Sequence, residues 1–242
     1  MKVGLFINTQ FPEGTDVAAR LPEMVEQVKT ARDAGFRSLW FPHHWLTYPM
    51  QMLQITPLMG YIAAHAQGMT IGPNILILPP QNPMHVAEEL ASLDVMCNGK
   101  LIFGAGIGYR EVEFKAFGTT TKDAAPRFEE CLEAVKRLWT EDFVTMKGSY
   151  FELDGANCTV LPVQKPMPPV WIGANANRAI RRAARVAEQC ERFLMPGGLV
   201  TSTRRSREEA PAEPVKEKKK RPPRSEERRV GKECRSRWSP YH

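Results

Sequence analysis

A parallel α/β fold is predicted by three features of the sequence. Short β-rich runs alternate with helical patterns from residue 3 to about 195, 43% of the 242 residues are apolar, and no apolar run approaches the ~20 residues of a membrane span. Val3-Gly4-Leu5-Phe6-Ile7 reads as a buried first strand. A helix over 21–34 follows, with Pro22 in its first turn, Met24, Val25, Val28 and Ala31 on one face, and Gly35 as its stop. Ser38-Leu39-Trp40-Phe41 is the second strand, and 55–66 the second helix, ending before Gly68. Thr70 to Leu78 is the third strand. A helix over 83–97 begins with a proline, carries Val86, Leu90 and Leu93 at i, i+4 and i+7, and stops at Asn98-Gly99. Leu101-Ile102-Phe103 is a fourth strand running into glycines. Asp123 or a neighbour caps a helix over 126–139, and a hairpin turns at Lys147-Gly148. Pro169 to Gly173 is the fifth parallel strand. Asn177 caps a helix whose apolar face is Ile180, Ala183, Ala184 and Ala187, and Phe193-Leu194-Met195 is the sixth strand.

The charge is unevenly spread. Lys and Arg number 33 against 27 Asp and Glu, a net of +6, yet residues 201–242 alone hold 14 basic and 7 acidic side chains. Residues 1–200 are left at −1. The basic surplus belongs to the tail, so the folded part lacks the field that a nucleic acid or an anionic membrane would require. The tail has no Leu, Ile, Phe or Met and five prolines, a composition that cannot offset chain entropy, and disorder is expected for 196–242. The start MKVGLFINTQF has no cleavage pattern and reads as a strand, which places the protein in the cytoplasm. Five scattered cysteines without a CxxC pair predict neither a disulfide framework nor a metal site.

In parallel α/β folds ligands bind at the C-terminal ends of strands, so the residues just after each run carry the chemistry. After the second strand comes Phe41-Pro42-His43-His44-Trp45. Adjacent residues on an extended segment point to opposite sides, so one histidine faces the strand ends and can exchange a proton near neutral pH. The plain alternative is a loop histidine with an ordinary hydrogen bond. Gly72-Pro73-Asn74 interrupts the third strand, the mark of a bulge or of close backbone approach to a ligand. Gly104-Ala105-Gly106-Ile107-Gly108 is GxGxG rather than the dinucleotide fingerprint, with charged residues instead of a helix immediately after it. Gly173-Ala174-Asn175-Ala176-Asn177 opens a helix whose free N–H groups suit a phosphate, or is simply a tight capped turn. No hydrolytic triad and no paired carboxylates stand at the strand ends.

Leu76–Gly118, Arg127–Trp139 and Pro168–Glu188 together resemble, in this order, the bacterial-luciferase-like flavin-dependent oxidoreductases, with the match running over about 1–195. The resemblance implies a TIM-like (β/α)8 barrel that binds reduced FMN, or in some branches a deazaflavin coenzyme, over its strand ends. It implies that Asn74-Ile75 is the bulge behind the flavin ring, that Gly106 and Ile107 flank the ring, and that Ala174, Asn175 and Ala176 lie near its phosphate. The active-site histidine falls on His44. The residue before it is usually acidic in the family, whereas here it is His43. Residues 224–242, RSEERRVGKECRSRWSPYH, resemble the translation of a common sequencing adapter, which implies that 196–223 is an out-of-frame continuation.

The activity implied is oxygenation of a small organic substrate by reduced FMN and O₂, with a flavin reductase as possible partner and a homo-oligomer when full length. The alternatives are deazaflavin-dependent hydride transfer on the same scaffold and a non-catalytic flavoprotein-like subunit. Only about six strands are countable where a closed barrel needs eight, so the barrel is expected to be C-terminally truncated and this chain, as it stands, to be poorly soluble or inactive.

Overall fold

The computed structural model describes residues 3–174, 177–186, 193–195 and 198–200. In chain order the elements begin β1 (Gly4–Phe6), β2 (Gln10–Phe11), α1 (Val17–Asp33), β3 (Ser38–Phe41), β4 (Gln51–Met52) and α2 (Ile55–Ala63). There follow β5 (Thr70–Pro73), β6 (Leu76–Ile77), α3 (Pro83–Met96), β7 (Phe103–Gly106), α4 (Glu111–Ala116) and α5 (Ala124–Thr140). The last are β8 (Val144–Lys147), β9 (Glu152–Ala156), β10 (Val170–Ile172), α6 (Asn177–Val186), β11 (Phe193–Met195) and β12 (Gly198–Val200).

The parallel sheet is built around one interrupted strand. β5 pairs with β3, and β3 with β1; beyond the break at 74–75, β6 pairs with β7, and β7 with β10. A parallel bridge between Ile71 and Leu101 joins the two halves. The strand order is therefore β1, β3, β5–β6, β7, β10. Leu39, Phe41, Ile71, Phe103 and Ala105 face the helices and are at most 1% exposed, in a core shared with α1, α2, α3 and α5. Strand alternation turns the other residues to the opposite face. Trp40 and Trp171 stack there at 4.7 Å. No helix among the described residues is long and apolar enough to cross a membrane.

The sheet departs from expectation at its far end. Phe193–Met195 is a strand, but it pairs antiparallel with β12 rather than extending the parallel sheet. The described residues thus hold five parallel strands in an open sheet, not six. The tail expected beyond residue 195 lies, apart from 198–200, outside the described residues.

Local chemistry moves several boundaries. Helix α1 starts at Val17 because Asp16 Oδ1 accepts from the Ala19 N–H at 3.2 Å, which leaves Pro22 inside the helix rather than in its first turn. Helix α2 stops at Ala63, where the predicted helix continued to 66. The fourth strand runs through the glycines, Phe103–Gly106, and not over 101–103. A six-residue helix, α4, does follow Arg110. The hairpin turns over 148–151 rather than at two residues, because the Glu130 carboxylate gathers the N–H groups of Ser149, Tyr150 and Phe151 at 2.7–3.0 Å. Asn177 is the first helical residue of α6 rather than its cap, Ala184 is exposed, and Ala187 lies outside the described residues.

Candidate functional site

The interrupted strand supplies the floor of the site. The Asn74–Ile75 peptide is cis, and the chain bulges there between β5 and β6. Glycines on the neighbouring strands make room for it. A Cβ on Gly104 would collide with the Pro73 carbonyl, one on Gly106 would lie 2.5 Å from Ile75 Cδ1, and one on Gly173 would lie 2.9 Å from Ile75 Cγ2. The glycine run is therefore strand, fitted to a neighbour's bulge. Ile75 thus packs against Gly106 and Gly173, where no side chain stands, and offers an apolar surface at the C-terminal ends of β6, β7 and β10. That surface fits a planar aromatic ring system.

The loop leaving β3 supplies the polar groups. His43 is 5% exposed, and its Nδ1 accepts the backbone N–H of Ile77 at 3.1 Å. Its ring meets Trp45 edge to face at 4.1 Å. Burial pushes its pKa down to about 4, reinforced by positive charge on His44 and opposed by a hydrogen bond with the Gln54 side chain. His43 is therefore a neutral Nε2–H tautomer around pH 7.

His44 has a different partner. Its Nδ1 lies 2.9 Å from Oε1 of Glu113, a fully buried side chain on α4. The same oxygen accepts the Trp45 backbone N–H at 2.9 Å and Arg110 at 3.1 Å. Arg110 also donates to the carbonyls of Trp45 at 2.6 Å and Leu46 at 2.9 Å, locking the loop to α4. Tyr109 stands edge-on to His44 at 5.5 Å, and Phe117 packs on Trp45 at 4.6 Å. Glu113 and Arg110 were not singled out in the sequence. Their only sequence signal is charge immediately after GxGxG.

The structure brings Ile75, Gly106 and the Gly173 end of β10 together, with His43 joined to the same strand through Ile77 and His44 on the adjoining loop. Ile107 is half-buried against the core, and the Ala174 side chain belongs to the core, leaving its backbone for any ligand. Asn175 and Ala176 lie outside the described residues. Among the described residues no three His, Cys, Asp or Glu side chains are placed to hold a metal. Cys97, Cys131 and Cys158 are free, and burial raises each thiol pKa, that of Cys158 to about 11.

Known proteins resemble this chain in sequence and in fold. The chain is 26% identical over 181 residues to the oxygenase component of the flavin-dependent trigonelline monooxygenase of Acinetobacter baylyi, a match covering 72% of this chain and 49% of that one. It is 29% identical over 173 residues to the F420-dependent glucose-6-phosphate dehydrogenase of Microbacterium testaceum, covering 69% and 51%. The chain thus spans about half the length of these curated relatives. In fold it is similar to an F420-dependent secondary alcohol dehydrogenase solved with an F420-acetone adduct, at a TM-score of 0.67 and 23% identity, over 78% of this chain and 56% of that one. The family profile described as luciferase-like monooxygenase matches residues 1–209, and the chain belongs to that family.

Proposed function

We propose that the protein is a flavin-dependent monooxygenase using reduced FMN and O₂ on a small organic substrate, its barrel of the TIM type, with residues 1–195 carrying the chemistry and 196–242 none. The observation that carries this reading is the bulge at Asn74-Ile75 set on a glycine-cleared wall beside two histidines. Ile75 would back the ring, Gly106 and Ile107 would flank it, and the backbone at Ala174, with Asn175 and Ala176, would lie toward the phosphate. When bound, the reduced flavin supplies the electrons that activate O₂; the protein positions and shields it. Trp45, with Phe117 packed on it, would line the loop side of the site. His44 holds or delivers a proton at Nε2, the nitrogen left over when Nδ1 faces Glu113. His43, held neutral, anchors the loop to β6.

Deazaflavin-dependent hydride transfer is the second reading, favoured by the dehydrogenase among the relatives. The two separate on oxygen: product formation coupled to O₂ uptake supports the first, and product without O₂ the second. A flavin reductase is the partner the first reading requires, since the relative named above is an oxygenase component. In the whole protein, His44→Ala should cut substrate turnover by roughly 10²–10⁴-fold while leaving flavin affinity within a few-fold. Steady-state kinetics beside a flavin titration decide the point; unchanged turnover removes His44 from the chemistry.

A further inference from the structure

Glu113 is fully buried, yet nothing about the core demands a carboxylate there. Its Oε1 accepts from the Trp45 N–H and from Arg110 and faces His44 Nδ1, while Oε2 has no partner among the described residues. A buried carboxylate is tolerated only when paired, and Arg110 is the ionic partner of Glu113. An ionised carboxylate can only accept hydrogen bonds. The His44 nitrogen facing it at 2.9 Å must therefore carry the hydrogen.

We propose that Glu113 is a positioning residue that fixes His44 as the Nδ1–H tautomer and so presents Nε2 as the basic nitrogen. It rests on the reading above only for its consequence in turnover; the tautomer itself stands on geometry alone. The adjacent His43 is locked the opposite way, because its Nδ1 accepts the Ile77 N–H and its hydrogen is on Nε2. Two neighbouring imidazoles are thus held in opposite tautomers by two different elements, β6 for His43 and α4 for His44. The arrangement leaves one exchangeable basic nitrogen on the pair, and Arg110 secures it by tying α4 to the carbonyls of the same loop at Trp45 and Leu46.

The test is ¹⁵N-histidine labelling of the intact chain, whose five histidines give a readable set of long-range ¹⁵N–¹H correlations. Loss of one set in His44→Asn and of another in His43→Asn assigns the pair. The expected result is Nδ1–H for His44 and Nε2–H for His43 in the unmodified protein. Glu113→Gln, which keeps an acceptor oxygen, should retain the Nδ1–H form. Glu113→Met, which has none, should convert His44 to the Nε2–H form that an unconstrained imidazole favours, with the His43 signals unmoved as the control for folding. An Nε2–H His44 in the unmodified protein overturns the proposal even if no variant folds, and so does a tautomer unaffected by Glu113→Met. If His44 is Nδ1–H as stated but His44→Ala turns over normally, the tautomer assignment stands and the monooxygenase role of His44 fails.

Discussion

His43 and His44 are the same side chain one residue apart, and their surroundings give them different chemistry. His43 is surrounded by Trp45 and the end of β6, so its charged form is expelled. Between about pH 6.5 and about pH 4 the unfolded chain takes up a proton there that the folded chain refuses. Stability from this residue is therefore intact above pH 6.5, falls as the pH drops through that window and levels off below it. The full effect is about 3 kcal/mol. Urea unfolding of the protein and of His43→Gln at pH 7 and pH 4.5 should show the difference between the two shrinking toward the acid side; a pH-independent difference would contradict it. The histidine pair and its location after the second strand were legible in the sequence, because a polar pair directly after an apolar run stands out. Glu113 was not. It lies 69 residues from His44, and only the packing of α4 against the β3 loop brings them together.

At the scale of elements, the run Gly104-Ala105-Gly106 is the instructive case. Sequence reasoning treats such glycines as the loop after a strand, since glycine weakens an isolated strand. In the fold they are the strand, because the bulge of the adjacent chain occupies the space their side chains would need. Gly104→Ala drives a methyl group into the Pro73 carbonyl, a backbone atom that no rotamer change can move. It should destabilise the protein by about 1–3 kcal/mol. Gly60 in α2 is the contrast: an added Cβ would sit 3.7 Å from Met96 Sδ, an ordinary contact, so Gly60→Ala should stabilise by up to about 1 kcal/mol through helix propensity. Thermal melts of the two variants should move in opposite directions; a Gly104→Ala melt at or above that of the unmodified protein would refute the packing argument. The hairpin shows the same limit of local reading. Lys147-Gly148 marks a turn, but Glu130 on α5 decides its length.

At the scale of the whole molecule, the alternation of strands and helices sufficed to give a parallel α/β architecture, since each period is set by burial on both faces. It did not give the strand count. An apolar triplet such as Phe193-Leu194-Met195 reads as a strand in either direction, and its antiparallel partner Gly198–Val200 has no signal of its own in the sequence. β1 and β10 each have one neighbour in the parallel sheet, so the sheet is open among the described residues. The platform on Ile75 nevertheless draws on β6, β7 and β10 together, all of them present. Binding at that platform is for this reason expected of the chain itself, whereas turnover is proposed for the whole protein. The most direct measurement is anaerobic calorimetric titration of reduced FMN into the purified protein, with a deazaflavin coenzyme in a parallel run. Saturable binding of reduced FMN at one site per chain, lost in Gly106→Val where the added side chain meets Ile75, is the predicted result. Binding of neither cofactor, or FMN binding that Gly106→Val leaves intact in a folded protein, would contradict it.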